Sequence, residues 1–159
     1  MAKIAREGTG MQFAALPFRI EPSGLQILLI TSRETRRWII PKGWRIRGLR
    51  PRDVAAREAF EEAGLVGKIV GKRSIGSYHY SKRLPENRTM LCRVKVFLLS
   101  VDRQLDIWPE KEQRDWRWAD PTKAAQMVDE GGLAEILRSA FPMVQLLSPR
   151  AGKHRRLPR

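Results

Sequence analysis

Cysteine and histidine are scarce in this chain: one cysteine, Cys92, and two histidines, His79 and His154, in 159 residues. A single cysteine excludes an intramolecular disulfide framework and a cysteine-cluster metal site. Two histidines leave little for a histidine-rich zinc site. Long apolar runs are missing too, so no segment reaches the roughly 18–20 residues that a membrane-spanning helix needs, and membrane insertion is not expected. The start, Met1–Gly8, lacks the apolar stretch of a secretory signal. The expected compartment is the cytoplasm.

Acidic residues are few beside basic ones: Lys+Arg number 31 and Asp+Glu 17, a formal charge of +14. Such an excess favours a polyanionic partner, a nucleic acid or a polyphosphorylated metabolite. Part of it lies in the last residues, where Arg150, Lys153, Arg155, Arg156 and Arg159 have no matching acid. Charge runs of this kind read as solvated, disordered ends. The length predicts one domain with a self-sufficient core. We expect an N-terminal segment over 1–10, a folded domain over 11–145 and a basic, disordered tail over 146–159.

Patterning supplies the elements. Met11–Ile20, Leu25–Ser32 and Trp38–Ile40 read as strands, and Lys42–Arg50, with Gly43 and Gly48, reads as a loop. Pro51 at a first helical position and Gly64 past the last periodic residue bracket a helix over Pro51–Ala63. Strand-like runs follow at 67–71, 74–81, 90–101 and 114–118, then helices at 121–128 and 132–141. Within Met90–Val101, Cys92, Val94 and Val96 alternate with Leu91, Arg93 and Lys95. The class is α/β or α+β.

The helix carries the chemistry. With Val54 at zero on a 100° wheel, Glu58, Glu61 and Glu62 fall at about 40°, 340° and 80°. Ala55, Ala56, Ala59, Phe60 and Ala63 fill the opposite arc, which can pack on a core. Carboxylates three and four residues apart repel each other, and a hard divalent cation removes that repulsion. The plainer alternative is an acidic face turned to solvent.

The stretch from Gly43 to Leu65 resembles the Nudix box. Gly43, Arg57, Glu58, Glu61, Glu62, Gly64 and Leu65 match that family's pattern in register, and Ala59 takes the aliphatic slot. Leu49 stands where the pattern has its first Glu. The resemblance implies a mixed β-sheet between helices and hydrolysis of a diphosphate joined to some group X with Mg²⁺ or Mn²⁺. It implies Glu58, Glu61 and Glu62 as metal ligands and Gly43, Arg57 and Gly64 as structural positions. Glu61 or Glu62 is the expected base within the box. Outside the box the resemblance implies an extra catalytic or metal-binding carboxylate at Glu112, with Glu110 as the neighbour that could substitute.

The run from Leu29 to Gly43 resembles the branch acting on diphosphoinositol polyphosphates and dinucleoside polyphosphates. That likeness implies phosphate contacts from Arg33, Arg88 and Arg114. Arg33 and Arg37 frame the loop into the box, and Arg37 and Lys42 join the expected substrate-binding set. Lys42, Arg45, Arg47, Arg50 and Arg52 are expected to form one positive field beside the carboxylates. Two alternatives stay open: an enzyme acting on RNA 5′ ends through the basic surface and tail, and a non-catalytic ligand-binding module because of Leu49. A dimer is compatible with the family, and no residue pattern decides it.

Overall fold

The computed structural model describes residues 9–148. Its centre is a parallel pair: β1 (Thr9–Glu21) runs beside β7 (Thr89–Gln104), in register from Gly10 against Cys92 to Phe18 against Ser100. Among the described residues all other strand–strand pairings are antiparallel, and one isolated parallel bridge joins Trp38 to Val128. β2 (Gly24–Thr31) joins β1 and carries β3 (Trp38–Ile39) and β8 (Trp116–Ala119), while β5 (Leu65–Val70) and β6 (Gly76–Arg83) join β7. The result is the expected mixed sheet.

Period-two alternation sorts the strand side chains into two cores. Ala14, Leu16, Phe18, Ile27, Leu29, Val94, Val96 and Leu98 lie on one face, against α2 (Pro121–Met127), α3 (Gly131–Arg138) and α4 (Ala140–Leu147). Phe13, Ala15, Leu28, Ile30, Phe97 and Leu99 lie on the other face, against Val54, Ala55, Ala59 and Ala63 of α1 (Pro51–Ala63). The sheet is thus covered on both sides. Where α1 passes, Phe97, Leu98 and Leu99 of β7 are all buried; beyond it, Leu91 and Arg93 are exposed while Cys92 and Val94 stay buried.

The sequence expectations meet three corrections. Lys42–Arg50 is not all loop: Lys42–Trp44 forms β4, antiparallel to β1 with Gly43 opposite Phe13. The free side of β1 supplies hydrogen-bond partners that local propensity does not show. The expected helix over 132–141 is two helices meeting at Ser139 (φ −89°, ψ 1°). Pro142 has no N–H to continue α3, yet it fits the first turn of α4. That helix also runs to Leu147, into the segment expected as tail. The expected disorder at 149–159 lies outside the described residues. Among the described residues no helix is long and apolar enough to cross a membrane.

Candidate active site

The third correction concerns α1. Pro51 opens the helix and Gly64 closes it in the left-handed conformation (φ 69°), its N–H bonded to the Phe60 carbonyl. The buried arc is Val54, Ala55, Glu58, Ala59, Glu62 and Ala63, whereas Phe60 is 40% exposed. Ala55, Ala59 and Ala63 pack on the core as the wheel predicts, but the buried arc is rotated toward Val54, taking in Glu58 and Glu62 and leaving Phe60 out. Glu58 and Glu62 face inward among alanines, only 2% and 4% exposed. An acidic solvated face is excluded for these two. Glu61 sits at the margin, its Oε1 accepting from Arg57 Nε at 3.2 Å.

Two carboxylates lie on a buried face because the site provides for them. Gly43 of β4 passes directly over Glu58: a Cβ on it would lie 2.2 Å from Glu58 Oε1. A glycine is what lets the strand approach the carboxylate this closely. Glu62 Oε1 accepts from the Lys42 backbone N–H at 3.4 Å, and Arg114 Nη2 stands 3.5 Å from Glu62 Oε2. Glu62 Oε2 is buried and makes no hydrogen bond within the described structure. A buried oxygen left this way is costly. Burial raises the Glu62 carboxyl pKa, against the opposing pull of Arg114 and Lys42. Burial also lowers that of the Lys42 ammonium, opposed by Glu62. Each group is thus pushed toward its neutral form by removal from water.

These groups open into a cavity of about 700 Å³ between β1, β4, β6 and the segments around Arg33 and Glu110. Arg33, Arg37, Lys42 and Arg114 line it as expected for phosphate contacts; Arg88 does not. Arg88 is exposed in the β6–β7 connection, its Nε donating to the Pro85 carbonyl at 3.3 Å. Glu112 lies exposed on the short 3-10 turn Lys111–Gln113, outside the lining, while Glu110 lines the cavity. Arg114 holds Glu110 Oε1 through Nη2 at 3.0 Å and Nε at 3.2 Å. Arg114 Nη1 also donates to the Thr31 carbonyl at 3.1 Å, so one guanidinium ties β2, Glu110 and Glu62 together. The backbone N–H of Glu110 donates to the Glu61 carbonyl at 3.0 Å, fastening this segment to α1.

Other lining residues escaped the sequence reading. Lys82, Arg83 and Glu130 line the cavity, and Glu130 accepts from Arg37 at 3.1 Å. Lys82 had a signal: it is in phase with Tyr78 and Tyr80, on the buried side of β6. Tyr80 donates to Gln12 Oε1 at 2.5 Å, and Lys42 Nζ sits 5.0 Å above the Tyr80 ring. Trp108 gave no periodic signal. It packs against Gly64, where a Cβ would meet its ring at 2.3 Å, and its Nε1 donates to the Glu62 carbonyl at 3.3 Å. Leu49 packs on the α1-side core, and Arg57 is held by Glu61. Trp44 is half-buried at the cavity and Cys92 is fully buried.

The donor set suits a hard cation: acidic oxygens, one of them buried without a hydrogen bond. No three acidic or histidine side chains converge into a ready metal cluster among the described residues. Glu61 is turned to Arg57, so a shared site for all three carboxylates requires that pair to open.

A two-core mixed sheet, with one helix lending buried carboxylates to a basic cavity, defines the structural class. The NUDIX domain family matches residues 12–140, and the chain belongs to it. Among curated relatives, Nudix hydrolase 21, chloroplastic, of Arabidopsis thaliana is 30% identical over 129 residues, 78% of this chain and 62% of that protein. Diphosphoinositol polyphosphate phosphohydrolase 2 of Rattus norvegicus is 33% identical over 115 residues, 70% of this chain and 59% of that protein. The chain thus spans about three fifths of the length of these relatives. A crystal structure of C. elegans Ap4A hydrolase shares the fold, with a TM-score of 0.64, 16% identity and coverage of 86% of this chain and 98% of that one.

Proposed function

We propose that this chain hydrolyses a phosphoanhydride bond in a polyphosphorylated small molecule, a diphosphoinositol polyphosphate or a dinucleoside polyphosphate being favoured. The observation that carries this reading is the inward-facing Glu58–Glu62 pair, with Glu62 Oε2 unbonded in a cavity ringed by Arg and Lys. The names of the relatives favour the same substrate classes.

Glu58 and Glu62, joined by Glu61, would hold Mg²⁺ or Mn²⁺. The bound ion supplies charge neutralisation at the phosphates and a more acidic water. Arg33, Arg37, Lys42 and Arg114 hold the phosphate oxygens, with Lys82 and Arg83 added by their place in the lining. Glu110, which lines the cavity, takes precedence over Glu112 as the carboxylate that accepts a proton from the attacking water. Arg114 holds Glu110 toward Glu62 and so positions it.

The test is product analysis on diadenosine polyphosphates, diphosphoinositol polyphosphates, nucleoside triphosphates, ADP-ribose and 5′-triphosphate RNA. Each is run with Mg²⁺, with Mn²⁺ and with chelator. Metal-dependent cleavage of one of the first two classes is expected. Saturable binding of these compounds without turnover, by a protein with a sharp melting transition, would overturn the enzymatic reading in favour of a binding module. Cleavage confined to the RNA would move the substrate to RNA 5′ ends.

A further inference from the structure

The positive excess is not spread evenly. Residues 45–95 hold thirteen Lys and Arg against five Asp and Glu, and three of those five acids are the helix carboxylates discussed above. The expected single field around Lys42, Arg45, Arg47, Arg50 and Arg52 is in fact divided. Lys42 belongs to the cavity at Glu62, while Arg50 and Arg52 face a different one.

This second cavity, about 610 Å³, lies at the start of α1, at the opposite end of the helix from Glu62. Arg50, Arg52, Lys72, Arg73, Ser74 and Lys95 line it, brought together from α1, the β5–β6 connection and β7. None of them lines the first cavity. Arg50 is paired with Asp53 at 2.8 Å. Arg52, Lys72, Arg73 and Lys95 form no ion pair with any described residue. Five cations gathered around the single counter-charge of Asp53 repel one another, and an anion among them relieves that repulsion. Phe97 also lines the cleft but is only 5% exposed, so it offers no face on which a base could stack. Recognition there falls to charged oxygens. The volume is that of a small-molecule site, roughly 300–1,000 Å³. Two arginines suit the paired oxygens of phosphate.

We propose that this cleft is a second anion site, binding a small molecule with clustered phosphate groups independently of the cavity at Glu62. Inorganic tripolyphosphate is the probe, titrated calorimetrically into the full chain in chelator so that hydrolysis is suppressed. Wild type is expected to bind an equivalent that survives the combined Arg33→Ala/Lys82→Ala/Arg83→Ala change in the lining of the first cavity. In Arg52→Ala/Arg73→Ala that equivalent should weaken by about tenfold or more, a loss of about 1.4 kcal/mol. Turnover and melting temperature should stay near wild type, since these side chains are outside both cores. If the double variant melts early, Lys72→Ala, on an exposed turn, should weaken the same equivalent by about threefold. Unchanged affinity and stoichiometry in these variants would overturn the proposal. So would binding of a twelve-nucleotide single-stranded RNA through Arg52 and Arg73 with no binding of tripolyphosphate, which would make the surface a strand-binding one.

Discussion

The two cavities are both basic, and they differ in what answers the cations. In the first, Arg114 is shared between Glu62 and Glu110, and Arg37 pairs with Glu130. Those guanidiniums are held in place by carboxylates and so can set geometry. In the cleft at the start of α1, Arg52, Lys72, Arg73 and Lys95 have no acidic partner among the described residues. Their charge is available for attraction and little of it is spent on order. Basic side chains can therefore serve positioning where acids answer them and capture where acids do not.

The sharpest way to break the comparison is to remove the central acid of the first cavity. Glu62→Gln keeps the shape and removes the charge. Turnover on the cleaved substrate should fall by about 10²–10⁴-fold, with a melting curve near wild type. Retention of activity in steady-state kinetics would place the chemistry elsewhere. Next comes Arg114→Ala, which leaves Glu62 and Glu110 facing each other without their shared cation. A stability loss of about 3 kcal/mol is expected for a broken buried pair, read from denaturant unfolding. The same truncation of Arg52 should cost almost nothing, which is the contrast at issue.

Gly43→Ala probes how closely β4 must pass Glu58. Its Cβ would sit 2.2 Å from a carboxylate oxygen, so strand or carboxylate must move. We expect a loss of about 1–3 kcal/mol together with reduced turnover. A variant as stable and active as wild type would show that the contact is easily relaxed. The smallest effect is expected at Arg33, whose side chain is 59% exposed. Arg33→Ala should raise KM by a few-fold, within the ~1 kcal/mol typical of exposed charges, and leave the melting temperature unchanged.

Much of the architecture was legible. The α1 boundaries followed from Pro51 and Gly64 because those residues act locally, through a fixed φ and a permitted left-handed turn. The alternation of Cys92, Val94 and Val96 against Leu91, Arg93 and Lys95 was legible because β7 is covered on only one face there. The same strand loses its alternation at Phe97–Leu99, where both faces are buried. β4 was not legible, because its hydrogen bonds come from β1, 30 positions earlier at Gly43 against Phe13. Of the candidate site, Glu58 and Glu62 were legible from their spacing and family likeness and line the cavity with Arg33, Arg37, Lys42 and Arg114, whereas Glu61 is not in the lining. That Glu110 lines the cavity and Glu112 does not was not visible, since a turn of three residues decides which side chain points inward.

The sequence by itself determined the chemistry on offer: three carboxylates at helical spacing, a glycine before them, and an excess of arginine and lysine. It also determined most of the element order, β4 and the break between α3 and α4 excepted, because hydrophobic period and turn residues act over a few positions. Only the tertiary structure decided that Glu58 and Glu62 are buried while Phe60 is exposed, since helical spacing says which residues share a face and not which face the sheet will cover. It alone split one run of basic residues: Lys42 lines one cavity, Arg50 and Arg52 line another at the opposite end of α1, and Arg45 and Arg47 line neither. Charge is carried by residues in sequence, but the field they make depends on which other charges the fold brings beside them.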